Sequence, residues 1–124
     1  MRIYTSYFGN LKKIPKEIVP ISISLYSPKY FDGNSYVLVA PTKEILTDWK
    51  NGPKDDEAIR HYIRAYKFQV LRKLDAQKVF EELKTLSNGN DIVLLCYEKP
   101  NDFCHRHLLA EYLSEKLNIE IKEL

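Results

Sequence analysis

Cysteine is scarce in this 124-residue chain: Cys96 and Cys104 are the only two, with seven residues between them. Two thiols are not a disulfide framework, and there is no C-x-x-C pair of the zinc-finger kind. Glycine is scarce as well. The four glycines, Gly9, Gly33, Gly52 and Gly89, all read as turns, so no glycine run cradles a phosphate in the Walker or dinucleotide manner. A G-x-S-x-G nucleophile elbow is missing too. The longest apolar run is six residues, 92–97, which excludes a membrane-spanning helix. Met1-Arg2-Ile3-Tyr4-Thr5 lacks the apolar stretch of a secretory signal, so a cytoplasmic location is expected. Charge of either sign is not in large excess. The net is +2, too mild to name a partner. No repeat or low-complexity segment appears.

What is present fits one α/β domain over residues 1–124. Hydrophobic residues make up 44% and charged residues 29% of the chain, which argues against disorder. A chain of this length buries roughly two-thirds of its unfolded surface and needs no covalent staples. Charge is uneven along it. Residues 1–74 hold 13 Lys+Arg against 7 Asp+Glu, whereas residues 75–124 hold 6 against 10. A basic front half suits phosphate-rich ligands, although mixed surface charge is the commoner meaning of such a pattern.

Strand-like and helix-like segments alternate. Residues 2–7 and 19–25 read as strands, the second alternating through Ile21, Ser22, Ile23, Ser24 and Leu25. Residues 36–40 form a third β-like run. Thr42 caps a helix over 43–50, stopped by Gly52-Pro53. Asp55 or Asp56 caps the next, where Ile59, Tyr62, Ile63, Tyr66, Val70 and Leu74 fall on one apolar stripe. Asp75 caps a third helix, ending at Asn88-Gly89. Residues 91–97 read as a strand in which Ile92, Val93, Leu94 and Leu95 are apolar without alternation, the pattern of a strand buried on both faces in a parallel sheet. Asp102 is placed to cap a helix over 103–117, and 119–121 reads as a last strand. The expected fold is therefore a three-layer, Rossmann-like domain, its mostly parallel sheet flanked by helices.

The stretch that can carry chemistry runs from Cys96 through Glu98 to Cys104, His105 and Arg106. It puts a buried strand, a short loop and a helix start in succession, and open α/β sheets bind ligands at the carboxyl ends of their strands. A thiol in a helix's first turn is favoured as thiolate. Cys104 is accordingly the expected nucleophile or redox thiol, and His105 the proton carrier near neutral pH. Glu98 is placed to orient a histidine or act as a base. Arg106 is expected to hold an anion beside the helix N-terminus. Cys96 either packs or joins the chemistry. His107, two residues from His105, points elsewhere. Cys96, Cys104, His105 and His107 are zinc-ligand types, but their spacing and the positive helix end argue against a metal. No metal or cofactor is expected.

These residues also carry a family likeness. Leu94-Leu95-Cys96-Tyr97-Glu98-Lys99-Pro100, followed by Cys104-His105-Arg106 and Leu108-Leu109-Ala110-Glu111-Tyr112-Leu113, resembles domain-of-unknown-function family 488. Thr5-Ser6-Tyr7-Phe8 looks like the end of that family's first strand, and Tyr62 with Tyr66 looks like its tyrosine-bearing segment. The resemblance spans most of the chain. It implies an α/β fold and a site at the cysteines, and no established reaction. Apart from the resemblance, Ser6 and Tyr7 end the first strand and face the same crevice if that strand neighbours 91–97. Tyr66, read mostly as core, has a hydroxyl that can reach a cleft. All three are expected among the ligand-binding residues, with Arg106.

Three readings stay open at this point. The first is an enzyme acting on a phosphorylated or nucleotide-like molecule. The second is a module that binds a nucleotide or nucleic acid without chemistry, its tyrosines stacking on bases. The third is a structural turn in which Arg106 only locks helix to strand.

Overall fold

The computed structural model describes residues 1–124. Five strands, β1 (Ile3–Tyr7), β2 (Val19–Ser22), β3 (Asn34–Ser35), β4 (Ile92–Cys96) and β5 (Lys122–Glu123), form one sheet in the order β3-β2-β4-β1-β5. Every neighbouring pair is parallel. β4 lies at its centre, between β1 and β2, with all five residues buried. That position is why Ile92, Val93, Leu94 and Leu95 can be apolar in succession: each face of the strand meets a packed layer.

Four α-helices complete the chain: α1 (Lys43–Asn51), α2 (Asp56–Gln69), α3 (Ala76–Leu86) and α4 (His105–Leu117). On one face of the sheet, Ile3, Ile21, Ile92 and Leu94 share a core with residues of all four helices, among them Ile45, Tyr66, Leu83 and Leu109. On the other face, Val93 and Leu95 pack against Phe8, Ile14 and Ile18. The first of these opens a 3₁₀ turn, Phe8–Lys13. Right-handed crossovers require this division. The chain moves from β1 to β2 in one direction along the sheet, and from β3 to β4 and β4 to β5 in the other. The result is the expected three-layer α/β fold with a wholly parallel sheet. Its second outer layer is a 3₁₀ turn and loop, not an α-helix.

Three helix caps read from the sequence are made. Thr42 Oγ1 accepts from the Ile45 amide, Asp55 Oδ1 from Ala58 and Asp75 Oδ1 from Lys78. Five boundaries differ. β2 ends at Ser22 and not at residue 25, because the chain bends over 24–26, where the Ser24 amide donates to Ser22 Oγ. Residues 36–40 hold a 3₁₀ turn, Val37–Val39, with Val37 and Leu38 exposed; the polar pair Asn34–Ser35 makes the ladder with β2 instead. α2 stops at Gln69, and Leu71–Lys73 is a 3₁₀ turn, yet Val70 and Leu71 stay buried. The last strand is Lys122–Glu123 and not 119–121, because Glu123 is anchored by polar contacts described below. Finally, α4 begins at His105 with Cys104, not Asp102, at its N-cap. No helix is long and apolar enough to cross a membrane.

Candidate functional site

β1 and β4 run side by side, with Tyr7 opposite Cys96. A cleft nevertheless opens on the other side of β4, at the carboxyl ends of β2 and β4. It encloses about 360 Å³, within the size range of small-molecule sites. The chain leaving β2 contributes Ser24, Leu25 and Tyr26, and the chain leaving β4 contributes Tyr97 and Glu98. The helical layer contributes Trp49 and Tyr62, and the start of α4 contributes Phe103, Cys104 and His105. Trp49, Tyr62 and Phe103 pack mutually edge to face or tilted, with centroids 4.8–5.6 Å apart.

Cys104 and His105 are both buried on this wall, 3% and 5% exposed. Nε2 of His105 lies 2.8 Å from the carbonyl oxygen of Ile23. A carbonyl only accepts, so Nε2 carries the proton and donates. Nδ1 is left with its lone pair, 3.8 Å from Cys104 Sγ. The imidazole is also fixed by an edge contact with Tyr66 at 5.7 Å. Burial drives its pKa down to about 4, against the bond to Ile23, and the charges of Arg106 and His107 push the same way. His105 is therefore neutral at pH 7, with Nδ1 unprotonated.

That burial has a consequence for stability. An unfolded histidine takes up its proton near pH 6.5, the folded one only near 4. Between those values the unfolded chain binds more protons, so stability is full above pH 6.5 and falls as pH drops towards 4. The loss should reach about 3 kcal/mol. His107, also lowered chiefly by burial, adds to the same slope. In urea titrations from pH 7.5 to 4.5, His105→Gln should flatten most of it. An unchanged slope would mean that His105 is not buried neutral.

Cys96 Sγ is bonded to Cys104 Sγ, so both cysteines of the expected site meet. Cys96 itself does not line the cleft. Its sulfur also accepts from Arg106 Nη1 at 2.9 Å. Cys96, Cys104 and His105 place their ligand atoms within 4.8 Å of one another, the donor types that suit zinc. The buried Arg106 cation against Cys96 weighs on the other side of that balance.

Arg106 does not present its donors to the cleft as expected. Its side chain is fully buried. Nε and Nη2 form a bidentate pair with Glu123 at 3.1 and 2.7 Å, and Nη1 also donates to the carbonyl of Glu98 at 2.7 Å. Thr5 Oγ1 donates to the same Glu123 carboxylate at 2.6 Å. Burial alone would raise the Glu123 pKa, but the bonds from Arg106 and Thr5 outweigh it and hold it below the usual carboxylate value. The arginine ties α4, β4 and β5 together, which is the locking role.

Ser6, Tyr7 and Tyr66 also lie outside the cleft. Ser6 is buried and donates to the Leu124 carbonyl. Tyr7 lies at the end of β1, across β4 from the opening. Tyr66 is fully buried, donates to the Val39 carbonyl at 2.6 Å and packs edge-on against His105. Glu98 does line the cleft, and its charge raises the Tyr62 pKa further after burial has raised it. Trp49, Lys50, Lys54 and Phe103 are cleft residues that the sequence pattern did not single out. Their only sequence signal is the sole tryptophan, on the last turn of a short helix.

No curated protein and no solved structure matches the chain. The family model DUF488-N3a, described as the active DUF488-N3 subclade, matches residues 4–117. That span takes in β1 from Tyr4 onward, the cleft-forming segments and the whole Cys96–Arg106 stretch, and the chain belongs to the DUF488 family.

Proposed function

We propose that the chain is a thiol-dependent enzyme whose active site is the cleft beyond β2 and β4, acting on a small anionic, nucleotide-like molecule. The observation that carries this reading is the Cys104–His105 pair on the cleft wall, with the unprotonated Nδ1 turned towards Sγ. The matching family model is described as an active subclade, which agrees with a catalytic use of the site.

The working form is the reduced pair, since a sulfur bonded to another cannot attack. Cys104 passes its proton to Nδ1 of His105, and the thiolate attacks an electrophilic carbon of the substrate. As the S–C bond forms, the bond to the leaving group breaks, and His105 returns the proton to that group. Water then cleaves the S–C bond: its hydroxyl stays on the carbon, its proton is taken up by Glu98 on the same wall and then passed to the departing sulfur, which restores both thiol and carboxylate. Cys96, held by Arg106, closes on Cys104 when a two-electron oxidant such as a peroxide takes up both thiol hydrogens and leaves as water, and the disulfide shields Cys104 from further oxidation.

The test uses the reduced protein with a mixture of nucleosides and their phosphates, followed by mass spectrometry. Wild type and Cys96→Ser should both consume one class of compound, and Cys104→Ser should not. Peroxide should silence wild type until a thiol reductant restores it, whereas Cys96→Ser should be silenced without full recovery. Turnover that survives in Cys104→Ser, or no turnover of any compound, would refute the reading.

A further inference from the structure

Lys54 is the backbone anomaly of the chain. Three non-glycine residues have positive φ: Lys54 at 57°, Asn88 at 53° and Asn118 at 54°. Asparagine tolerates this left-handed region, and the two asparagines follow the ends of α3 and α4. A lysine gains nothing there from its own side chain, and such outliers cluster at functional sites. Here the conformation serves a position. Lys54 Nζ lies 5.9 Å from the centre of the Trp49 ring and 3.3 Å from the Lys50 carbonyl oxygen, and the residue lines the cleft.

The charges of the cleft lining are uneven. Lys50 and Lys54 stand against the single carboxylate of Glu98, and His105 is neutral. Both lysines are exposed and neither ammonium has a carboxylate partner within 4 Å. The packed rings of Trp49, Tyr62 and Phe103 line the same cleft, with Lys54 Nζ over Trp49 and Phe103 next to Cys104 in the chain. Tyr26 and Tyr97 remain 59% and 50% exposed at the same cleft, with Tyr97 Oη donating to the Tyr26 carbonyl at 2.7 Å. Flat apolar faces left open beside cations without a carboxylate partner match a ligand with a planar ring at one end and a dianion at the other.

We infer that Lys50 and Lys54 form the phosphate subsite of the cleft, and that its ligand is a nucleoside monophosphate with its base against the aromatic residues. This rests on the cleft being the active site, but it does not require the thiol chemistry. The phosphate sits at the lysine end, and the sugar and base reach towards Cys104.

The experiment uses reduced Cys104→Ser protein, so that binding is read without turnover. Calorimetric titrations with nucleoside monophosphates, the matching nucleosides and inorganic phosphate give the affinities. The fluorescence of Trp49, the only tryptophan, reports whether the base enters this cleft. At least one monophosphate should bind tenfold or more tighter than its nucleoside and than free phosphate, and should change Trp49 emission. Lys54→Gly relieves the left-handed backbone, so it should not lower the melting temperature. It should nevertheless weaken the monophosphate tenfold or more and leave the nucleoside unchanged. Equal affinity for nucleoside and monophosphate, phosphate binding as tight as the monophosphate, or an unaffected Lys54→Gly protein would overturn the subsite. Those outcomes are separate from the turnover test. A Lys54-dependent monophosphate site in a protein without thiol turnover would leave the subsite standing and remove the enzyme.

Discussion

Arg106→Ala should destabilise the protein by about 3–5 kcal/mol, the usual cost of breaking a buried ion pair by removing one partner. The loss is large against a total stability on the order of 5–15 kcal/mol. Arg106 has no exposed side-chain surface, and it donates to Glu123, Cys96 Sγ and the Glu98 carbonyl. Truncation leaves all three acceptors without their donor and opens a cavity between α4 and the sheet. Glu123 would keep the bond from Thr5, and at 27% side-chain exposure it can reach water. β5 should therefore fray before the centre of the sheet does. Arg106→Lys keeps the charge, but a single ammonium cannot reproduce the planar fork, so roughly half of the loss should remain. Urea denaturation of the three proteins measures this. An Arg106→Ala protein with an unchanged midpoint and a lost affinity for anions would mean that the guanidinium serves a ligand after all.

Much of the fold was legible because its signals are local. The unbroken apolar run of β4 announced a central parallel strand, and Thr42, Asp55 and Asp75 announced three helix starts through the side chains that cap them. The site was legible in part for the same reason. Cys104, His105 and Glu98 follow a buried strand directly, and the strand's end fixes where they emerge. The misread residues depend on contacts far along the chain. Arg106 looks like an anion ligand until Glu123, in an edge strand of two residues, arrives beside it. Ser6 and Tyr7 do neighbour β4, but the cleft opens towards β2, and strand order is not written in local periodicity. Trp49 and Lys54 carry no motif. Their place in the cleft comes from the docking of α1 beside α2 and from one left-handed residue.

The second large effect concerns Cys104 itself. If the site works as a thiol–imidazole pair, the chemistry of that sulfur depends on a neighbour that can take its proton. His105 is held ready by the Ile23 carbonyl, with its lone pair towards Sγ. General-base assistance of this kind contributes 10²–10⁴-fold. His105→Gln can still donate to Ile23 through its amide, but has no basic nitrogen. It should slow reactions at Cys104 by roughly 100-fold or more. Cys96 is equally buried and lies outside the cleft lining, so a reagent that enters the cleft should discriminate between the two.

The direct measurement is the rate of iodoacetamide modification of the reduced protein at pH 7, with each cysteine followed by peptide mass spectrometry. The expected result is fast modification of Cys104 and slow modification of Cys96, with the Cys104 rate falling by roughly 100-fold in His105→Gln. Equal rates at the two cysteines, or a Cys104 rate that His105→Gln leaves unchanged, would contradict a catalytic thiol in this cleft.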